Sequence, residues 1–310
     1  MSCGSPDARL PEAEQTALRD RVVRITSLDD PRVAEYRDIR DADLARRRRL
    51  FLAEGDFVLR TLLGRGRFGL RSLFMAQGRL TKLAPLCAKL PASVPIYVAE
   101  QALVSGIVGF RFHRGLLAAG ERGEPLDAAR LLAGLGAGPR LVVALESLCN
   151  HDNVGGVFRN AAAFGADAVL LDERCCDPLY RRSIRVSVGA TLWVPFAQAG
   201  PGLQMVAKLR EAGFAVLALT PRPDADDLWE LVQDGSLPER VALLLGTEGP
   251  GLTEELLGAA DRRVRIPIDR RFDALNVATA SGIALCAVRR RLGWSRSPAP
   301  FSDALPAGKC

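Results

Sequence analysis

The C-terminal half of this chain of 310 residues alternates short apolar runs with segments that read as helices. The apolar runs that predict strands cover residues 141–145, 168–171, 193–196, 215–219, 241–245 and 264–268. The predicted helices cover residues 154–164, 178–188, 202–212, 226–232, 253–257 and 275–292. Near-continuous apolar strands that alternate with helices are typical of a parallel sheet covered on both faces. The sequence therefore predicts an α/β domain whose ligand binds beyond the carboxyl ends of the strands.

Composition excludes several classes of protein. Apolar residues make up 48% and charged residues 25% of the chain, which excludes a disordered or fibrous protein. No run of eighteen apolar residues occurs, and the N-terminal segment lacks the apolar block of a signal peptide. We therefore expect a cytoplasmic protein without a membrane span. The seven cysteines include no CxxC pair, so we expect neither a disulfide framework nor a metal site.

Positive charge is concentrated in the N-terminal part. Residues 1–120 hold 20 Lys/Arg and 13 Asp/Glu, whereas residues 121–310 hold 22 and 23. This asymmetry predicts contact with a polyanion, or only a soluble basic surface. The segment 30–49 reads as a polar helix that ends in Arg46, Arg47, Arg48 and Arg49. These arginines would complement the negative end of that helix or contact phosphate, and the sequence leaves both readings open.

The length and the changes in composition indicate two domains with tails. The predicted divisions are a disordered tail at 1–24, a small α/β domain at 25–120, a linker at 121–139, the parallel-sheet domain at 140–294 and a disordered tail at 295–310. The linker is rich in glycine and glutamate, and the last segment carries three prolines.

Standard nucleotide-binding and hydrolase signatures are absent from the sequence. No G-x-G-x-x-G follows the strand at 141–145, and no G-x-x-x-x-G-K-[ST] occurs. The histidines are His113 and His151, and Cys149 lies two residues from the latter. That spacing supports neither a serine-type nor a cysteine-type triad. A conventional dinucleotide or triphosphate site is therefore not predicted.

The first of three loops that follow predicted strands covers residues 150–160. Asn153 is placed to cap the next helix, and Gly155 and Gly156 permit close approach of another backbone. Arg159 lies in an otherwise apolar helical stretch. Its guanidinium therefore needs an internal carboxylate or a cleft, and both remain open.

The other two loops follow the strands at 241–245 and 264–268. Residues 246–252 include three glycines and one proline, which predicts a tight turn with exposed backbone amides and carbonyls. Thr253 is placed to cap the helix that follows. The third loop runs from Ile266 to Asn276 and leads into a helix dense in small residues, which predicts close packing against another element.

Together these loops resemble the signature motifs of the SpoU (TrmH-type) RNA 2′-O-ribose methyltransferase family of the SPOUT superfamily. The matching motifs are N-x-G-x-x-x-R at Asn153, Gly155 and Arg159, G-T-E-G-x-G-L at 246–252, and I-P…L-N-V from Ile266 to Val277. Ahead of them, residues 25–120 resemble the RNA-binding domain of the family, most recognisably in the sequence FLAEG at 51–55.

The resemblance implies an α/β fold with a C-terminal trefoil knot in the parallel-sheet domain, preceded by the small RNA-binding domain. It also implies S-adenosyl-L-methionine as cofactor, RNA (rRNA or tRNA) as substrate, and a homodimer in which each site is completed by the neighbouring subunit. The residues that it places in the cofactor site are Gly246, Gly251, Ile266, Leu275 and Thr220. Those that it makes catalytic are Arg159, Asn276, Glu248 and Asn153. The candidate RNA contacts are Arg46, Arg47, Arg48, Arg49 and Arg114.

One departure from the family pattern keeps alternatives open. Ala274 and Ala278 stand where many members carry serines, so a serine-based role is weakened. An RNA-binding protein of the same fold without transferase activity is therefore a second hypothesis. A knotted methyltransferase acting on a tRNA base and a dinucleotide oxidoreductase are more distant ones. Among substrates, ribosomal RNA is favoured over tRNA because of the N-terminal domain.

Overall fold

The computed structural model describes residues 18, 20–37, 41–109, 115–269 and 271–293. It divides into two compact units: the first is the chain up to Glu124 together with Asp177–Trp193, and the second is Pro125–Cys176 together with the chain from Val194 onward. The sequence predicts instead an uninterrupted domain over 140–294. The predicted tail at 295–310 lies outside the described residues, as does most of the tail at 1–24.

The bounds of the regular elements are as follows. Within the described ranges the strands are β1 (Val22–Arg24), β2 (Leu50–Glu54), β3 (Gly69–Ala76), β4 (Ile96–Ala99), β5 (Leu116–Glu121), β6 (Arg140–Leu145), β7 (Ala168–Leu171), β8 (Phe196–Gln198), β9 (Ala215–Leu219), β10 (Asp226–Asp227), β11 (Arg240–Leu245) and β12 (Arg262–Arg265). The helices are α1 (Asp56–Arg65), α2 (Leu80–Cys87), α3 (Gln101–Val108), α4 (Ala128–Ala133), α5 (His151–Ala163), α6 (Arg181–Val186), α7 (Gly202–Glu211), α8 (Leu228–Gln233), α9 (Glu254–Ala259) and α10 (Val277–Leu292).

The first unit is built on a five-stranded sheet in the order β1-β4-β3-β5-β2. Strands β1, β4 and β3 are parallel, whereas β5 is antiparallel to both of its neighbours. The predicted tail at 1–24 therefore contributes a strand, because Val22–Arg24 pairs with β4. Strands β2, β3, β4 and β5 contribute buried residues to the core of this unit, and Val23 of β1 packs against that core.

The prediction of one polar helix over 30–49 is wrong. Asp30 instead caps a six-residue 3-10 turn, Pro31–Tyr36, which buries Val33 and Tyr36 in the core. A second helical segment covers residues 41–48 and ends at Arg49, whose φ of 53° stops it. The burial of these two side chains determines the local structure here, because helix propensity is a weak preference that tertiary packing overrides.

The second unit is built on a seven-stranded sheet in the order β10-β12-β9-β11-β6-β7-β8, and all its strands are parallel. One face packs with α4, α7 and α9 into a continuous apolar core. Helix α10 packs against α5, α8 and strands β6 and β11. The α/β class and the parallel sheet predicted from the apolar runs are confirmed.

Several element bounds in this unit differ from the prediction. The third predicted run, 193–196, is displaced, since the strand covers Phe196–Gln198 and Pro195 lacks the N–H that a ladder needs. The predicted helix at 226–232 begins at Leu228, because Asp227 serves as its N-cap after a two-residue strand. Strand β12 ends at Arg265, before the residues Ile266 to Ile268 that the sequence adds to it.

Helices α5 and α10 approach each other closely, as the small residues of α10 predict. A Cβ added to Gly156 would lie 2.6 Å from the Cβ of Ala278, closer than real Cβ atoms come. Beside this contact, Asn160 Nδ2 donates to the carbonyl of Ala278 at 2.6 Å and to Ser281 Oγ at 2.9 Å. The position of α10 along α5 is therefore set by both shape and polar contacts.

Arg289 anchors the far end of α10. Its side chain is only 3% exposed, and its guanidinium donates to the carbonyls of Phe164 (2.9 Å) and Gly165. It also lies 3.8 Å from Asp167, which accepts from the amide of Leu141 at 2.7 Å. Burial raises the pKa of Asp167 and lowers that of Arg289, and the opposite charge of each group partly offsets this effect on the other.

We predict that Arg289→Met lowers the free energy of unfolding by about 3 kcal/mol, because Asp167 and two carbonyls lose their buried partner. Arg290→Met is the control, since Arg290 is the exposed neighbour on the same helix and should change stability little. Urea unfolding followed by circular dichroism measures both. Equal stability of the two variants would show that Arg289 does not anchor α10.

Candidate functional site

The candidate site lies at the carboxyl edge of the second sheet. Because the seven strands are parallel, the residues that follow them meet at one edge. Thr220, Gly246 and Ile266 follow β9, β11 and β12, which are neighbours in the order β12-β9-β11. The amide of Thr220 donates to the carbonyl of Val264 at 2.9 Å, which ties the first of these ends to the third.

Asn276 joins all three motif loops through one amide group. Its Nδ2 donates to Asn153 Oδ1 at 3.0 Å and to Glu248 Oε1 at 2.7 Å. Its Oδ1 accepts from the backbone amides of Ala278 at 2.9 Å and Thr279 at 3.3 Å, so Asn276 is also the N-cap of α10. The four contacts agree on which end of the amide is oxygen and which is nitrogen.

Asn153 is buried within α5 rather than at its cap. The prediction that it caps the helix is wrong, because Asn150 takes that place and its side chain accepts from the amide of Asp152 at 2.9 Å. The helix thus begins three residues earlier, and Asn153 is turned inward with 5% exposure. This position allows the buried Oδ1 to receive the hydrogen bond from Asn276.

The glycine loop folds back on itself. The amide of Gly251 donates to the carbonyl of Thr247 at 3.1 Å, and Gly249 and Gly251 have φ of 83° and 72°. A Cβ on Gly246 would lie 2.4 Å from the carbonyl carbon of Gly251, so this position has room only for glycine. Gly246 and Gly251 are therefore in contact, and no atom lies within 4 Å of an added Cβ at Gly249 or Gly251.

Two apolar side chains remain partly uncovered at the same edge. Ile266 follows β12 and Leu275 precedes the cap of α10, and both are half-buried. Thr220, at the end of β9, is 8% exposed. The edge therefore offers half-buried apolar surface and the backbone groups of a glycine turn.

Glu146 is a site residue that sequence reasoning missed. It directly follows β6 and is 7% exposed. Its Oε1 accepts from Thr253 Oγ1 at 2.9 Å and its Oε2 from the amide of Thr253 at 3.0 Å. Thr253 is the N-cap of α9, as predicted, so Glu146 fixes the end of the glycine loop. A carboxylate directly after an apolar strand was the available signal.

Arg159 is exposed on α5, the helix that also carries Asn153. In the part of the chain that the structure describes, its guanidinium makes no hydrogen bond and no ion pair. The internal salt bridge that the sequence left open is thus not formed with any of these residues. Its five N–H donors are available to a ligand.

Two of the predicted RNA contacts of the first unit, Arg47 and Arg49, already have partners within the chain. Arg47 lies 3.8 Å from Asp43, and Arg49 donates to the carbonyl of Gly123 at 2.6 Å and lies 3.1 Å from Glu124. Arg48 is exposed. Arg46 belongs to the helical segment at 44–48, and Arg114 lies outside the described residues.

The described residues form neither a membrane span nor a metal-binding cluster. Within the described ranges, every helix is too short or too polar to span a lipid bilayer. In the same ranges, no group of three or more His, Cys, Asp or Glu side chains is arranged to hold a metal ion.

Comparison with known proteins identifies the family. The profile of the SpoU rRNA Methylase family matches residues 140–286. A protein named as an uncharacterised tRNA/rRNA methyltransferase of Mycobacterium bovis is 42% identical over 260 residues, which cover 83% of this chain and 88% of the relative. A 23S rRNA (guanosine-2′-O-)-methyltransferase of a Burkholderia species is 29% identical over 202 residues, or 65% of this chain and 80% of that protein.

A solved structure extends the comparison to the fold. The crystal structure of an AdoMet-bound rRNA methyltransferase from Sinorhizobium meliloti aligns with a TM-score of 0.73 and 26% identity, covering 88% of this chain and all of that chain. The chain belongs to the SpoU rRNA methylase family, a family of RNA methyltransferases. The resemblance carried by the three motif loops is thereby confirmed.

We predict that Gly246→Ala lowers the free energy of unfolding by about 2 kcal/mol, because the added methyl meets backbone rather than a movable side chain. Amide exchange at Gly251 should become faster as its bond to Thr247 loosens. Gly258→Ala is the control: this helical glycine has no atom within 4 Å of an added Cβ, and alanine should stabilise α9 slightly. Unchanged exchange in Gly246→Ala would mean that the loop does not need this glycine.

Proposed function

We propose that this protein transfers a methyl group from S-adenosyl-L-methionine to a ribose 2′-hydroxyl of structured RNA, foremost ribosomal RNA. The observation that carries the proposal is the amide of Asn276, which holds Asn153 and Glu248 together at the sheet edge. The Burkholderia relative is named as a ribose methyltransferase acting on 23S rRNA, which supports the same chemistry.

The residues at the sheet edge fit this cofactor. The backbone of the glycine loop, which has open space beside Gly251, offers amides and carbonyls to its polar groups, and half-buried Ile266 and Leu275 offer apolar surface to an adenine ring. Thr220 lies at the same sheet edge, at the end of β9, and is 8% exposed. The Sinorhizobium meliloti relative is described as AdoMet-bound, which agrees with this fit. When bound, the cofactor supplies an electrophilic methyl group on a sulfonium centre.

Arg159 is proposed to grip a phosphate of the RNA and to stabilise negative charge that develops on the ribose oxygen. Its guanidinium is exposed and unpaired among the described residues, so both roles are open to it. A guanidinium keeps its proton to a pH of about 12 or beyond, so it does not act as the general base. The proton of the hydroxyl passes instead to the phosphate or to water.

Asn276 and Glu248 are proposed to orient the ribose hydroxyl and the glycine loop. Asn153 is proposed to fix the position of Asn276 by accepting its hydrogen bond. Glu248 is exposed and its Oε1 is engaged by Asn276, which fixes the direction of the carboxylate. Positioning of this kind contributes much of the rate where little covalent chemistry is needed.

The remaining parts of the proposal concern assembly and substrate. We propose that the first unit binds the RNA, that α10 forms part of a trefoil knot, and that the active form is a homodimer. The excess of positive charge in residues 1–120 supports the first of these. Sedimentation of the purified protein tests the last, with a monomer at micromolar concentration as the contrary result.

Transfer of tritium from labelled S-adenosyl-L-methionine into RNA tests the proposed activity. Ribosomal RNA and tRNA from cells lacking the protein are offered as separate substrates, and the product nucleotide is mapped as 2′-O-methyl or base-methyl. Label at a ribose of ribosomal RNA supports the proposal. Label in tRNA or on a base would reassign the substrate, and RNA binding without any label would favour the inactive protein suggested by Ala274 and Ala278.

We predict that Arg159→Ala slows methyl transfer about 100-fold or more, since one charge-stabilising donor contributes on this scale. Affinity for the cofactor, measured by calorimetry, should remain nearly intact. The control is Arg130→Ala, which removes another exposed helical arginine of the second unit. If Arg159→Ala lost cofactor binding as strongly as turnover, the residue would be structural.

Asn276→Asp separates the two roles of Asn276. The carboxylate keeps the acceptor for the amides of Ala278 and Thr279, so stability should stay within about 1 kcal/mol of the parent. It loses the donor and faces Glu248, so methyl transfer should fall about 100-fold. Asn276→Ala removes both roles and should also lower the melting temperature. Full activity of Asn276→Asp would exclude a role for the amide donor.

A further inference from the structure

A cavity of about 330 Å³ lies within the first unit, apart from the residues of the proposed methyl-transfer site. Its lining residues are Glu54, Gly55, Asp56, Phe57, Val58, Arg79, Arg185 and Val188. They come from the end of β2, the first turn of α1, the turn before α2 and the segment Asp177–Trp193. The volume lies at the small end of the range of about 300–1,000 Å³ that is usual for ligand pockets.

The cavity has unused hydrogen-bond donors. Asp56 is already paired with Arg79, whose Nη2 donates to Oδ1 at 2.8 Å. The Nε of the same arginine has no hydrogen-bond partner among the described residues, but it is fully buried and is not accessible to a ligand. Arg185 is exposed, and its guanidinium likewise makes no hydrogen bond or ion pair within the described part of the chain. These donors call for an anionic acceptor such as a phosphate.

The first turn of α1 adds further donors and an aromatic ring. Gly55 occupies the N-cap with φ of 94° and supplies no side-chain cap, so the first backbone amides of this ten-residue helix lack that partner. Phe57, in the same turn, is 62% exposed although it is a large apolar residue. A phosphate fits the amides and guanidinium groups, and a flat ring fits the exposed phenyl face.

We propose that this cavity binds one unpaired nucleotide of the RNA substrate, with its phosphate at Arg185 and its base stacked on Phe57. The inference rests on the proposed function and adds a contact site for RNA in the first unit. Single-stranded RNA is the favoured ligand because a base inside a duplex has no free face for an aromatic side chain. A phosphopeptide would satisfy the guanidinium groups but would leave Phe57 without a stacking partner.

Binding of fluorescein-labelled single-stranded RNA to the full-length protein, followed by anisotropy, tests the charge. We expect R185Q to weaken binding about tenfold, whereas R60Q, which removes an exposed arginine of α1 outside the cavity, should change it less than about twofold. Duplex RNA and a phosphopeptide serve as competitors and should displace the single strand poorly. An equal loss of RNA affinity in both variants would mean that the RNA is attracted by overall charge and not by the cavity. Stronger displacement by duplex RNA or by the phosphopeptide would mean that the cavity binds that ligand instead. Either result would overturn the proposal.

Photo-cross-linking tests the stacking. RNA that carries 5-iodouridine should cross-link to the peptide containing Phe57, and F57L, which keeps an apolar side chain but removes the ring, should lose the cross-link and bind about tenfold more weakly. Cross-links confined to other peptides would overturn the proposal. Tritium transfer by the unaltered protein is measured in parallel. Absence of methylation there would refute the proposed function, whereas unchanged RNA binding by the cavity variants would refute only the proposed nucleotide site.

Discussion

The arrangement of the site depends on one amide group that serves as donor and acceptor at once. The oxygen of Asn276 caps α10, and its nitrogen reaches Asn153 on α5 and Glu248 in the glycine loop. Neither a carboxylate nor a hydroxyl reproduces this pattern, because the first lacks a donor and the second has only one proton. The last helix therefore begins at the point where the three motif loops are joined. The same side chain fixes both the start of that helix and the geometry of the site.

That constraint holds only because α10 has a fixed position along α5. Gly156 leaves space for Ala278, and Asn160 donates hydrogen bonds to two oxygens of α10. At the other end of α10, Arg289 donates to the carbonyl of Phe164, directly after α5. A shift of α10 by one turn, about 5.4 Å, would remove all of these contacts together with those of Asn276. Packing along the whole helix is thus what holds a donor within 3.0 Å of Asn153.

The sequence predicts the parts of this structure that depend on local pattern. Buried parallel strands are apolar throughout, so their ends could be located, and the residues that follow them could be expected at one edge. The bond between Glu146 and Thr253 joins positions 107 residues apart, and no local pattern predicts it. The sequence predicts the wrong start for α5 because Asn150 and Asn153 are equally good N-cap residues. Only the burial of Asn153 distinguishes them. The packing of Asp177–Trp193 with the first unit is likewise a long-range outcome.

The RNA-binding arginines could not be predicted from the sequence for the same reason. A count of arginines does not say which of them are already paired within the protein and which can bind a ligand. The run Arg46 to Arg49 is the most basic sequence in the chain, yet Arg47 faces Asp43 and Arg49 is engaged by Gly123 and Glu124. Arg289 is used wholly inside the second unit. Arg159 and Arg185 differ from these, because neither is paired with a residue that the structure describes. An arginine that already satisfies a carboxylate gains less from a phosphate than one that exchanges only water for it. Recognition of RNA is therefore expected to depend on a few unpaired guanidinium groups placed beside a cavity or a site, more than on the net charge of +6.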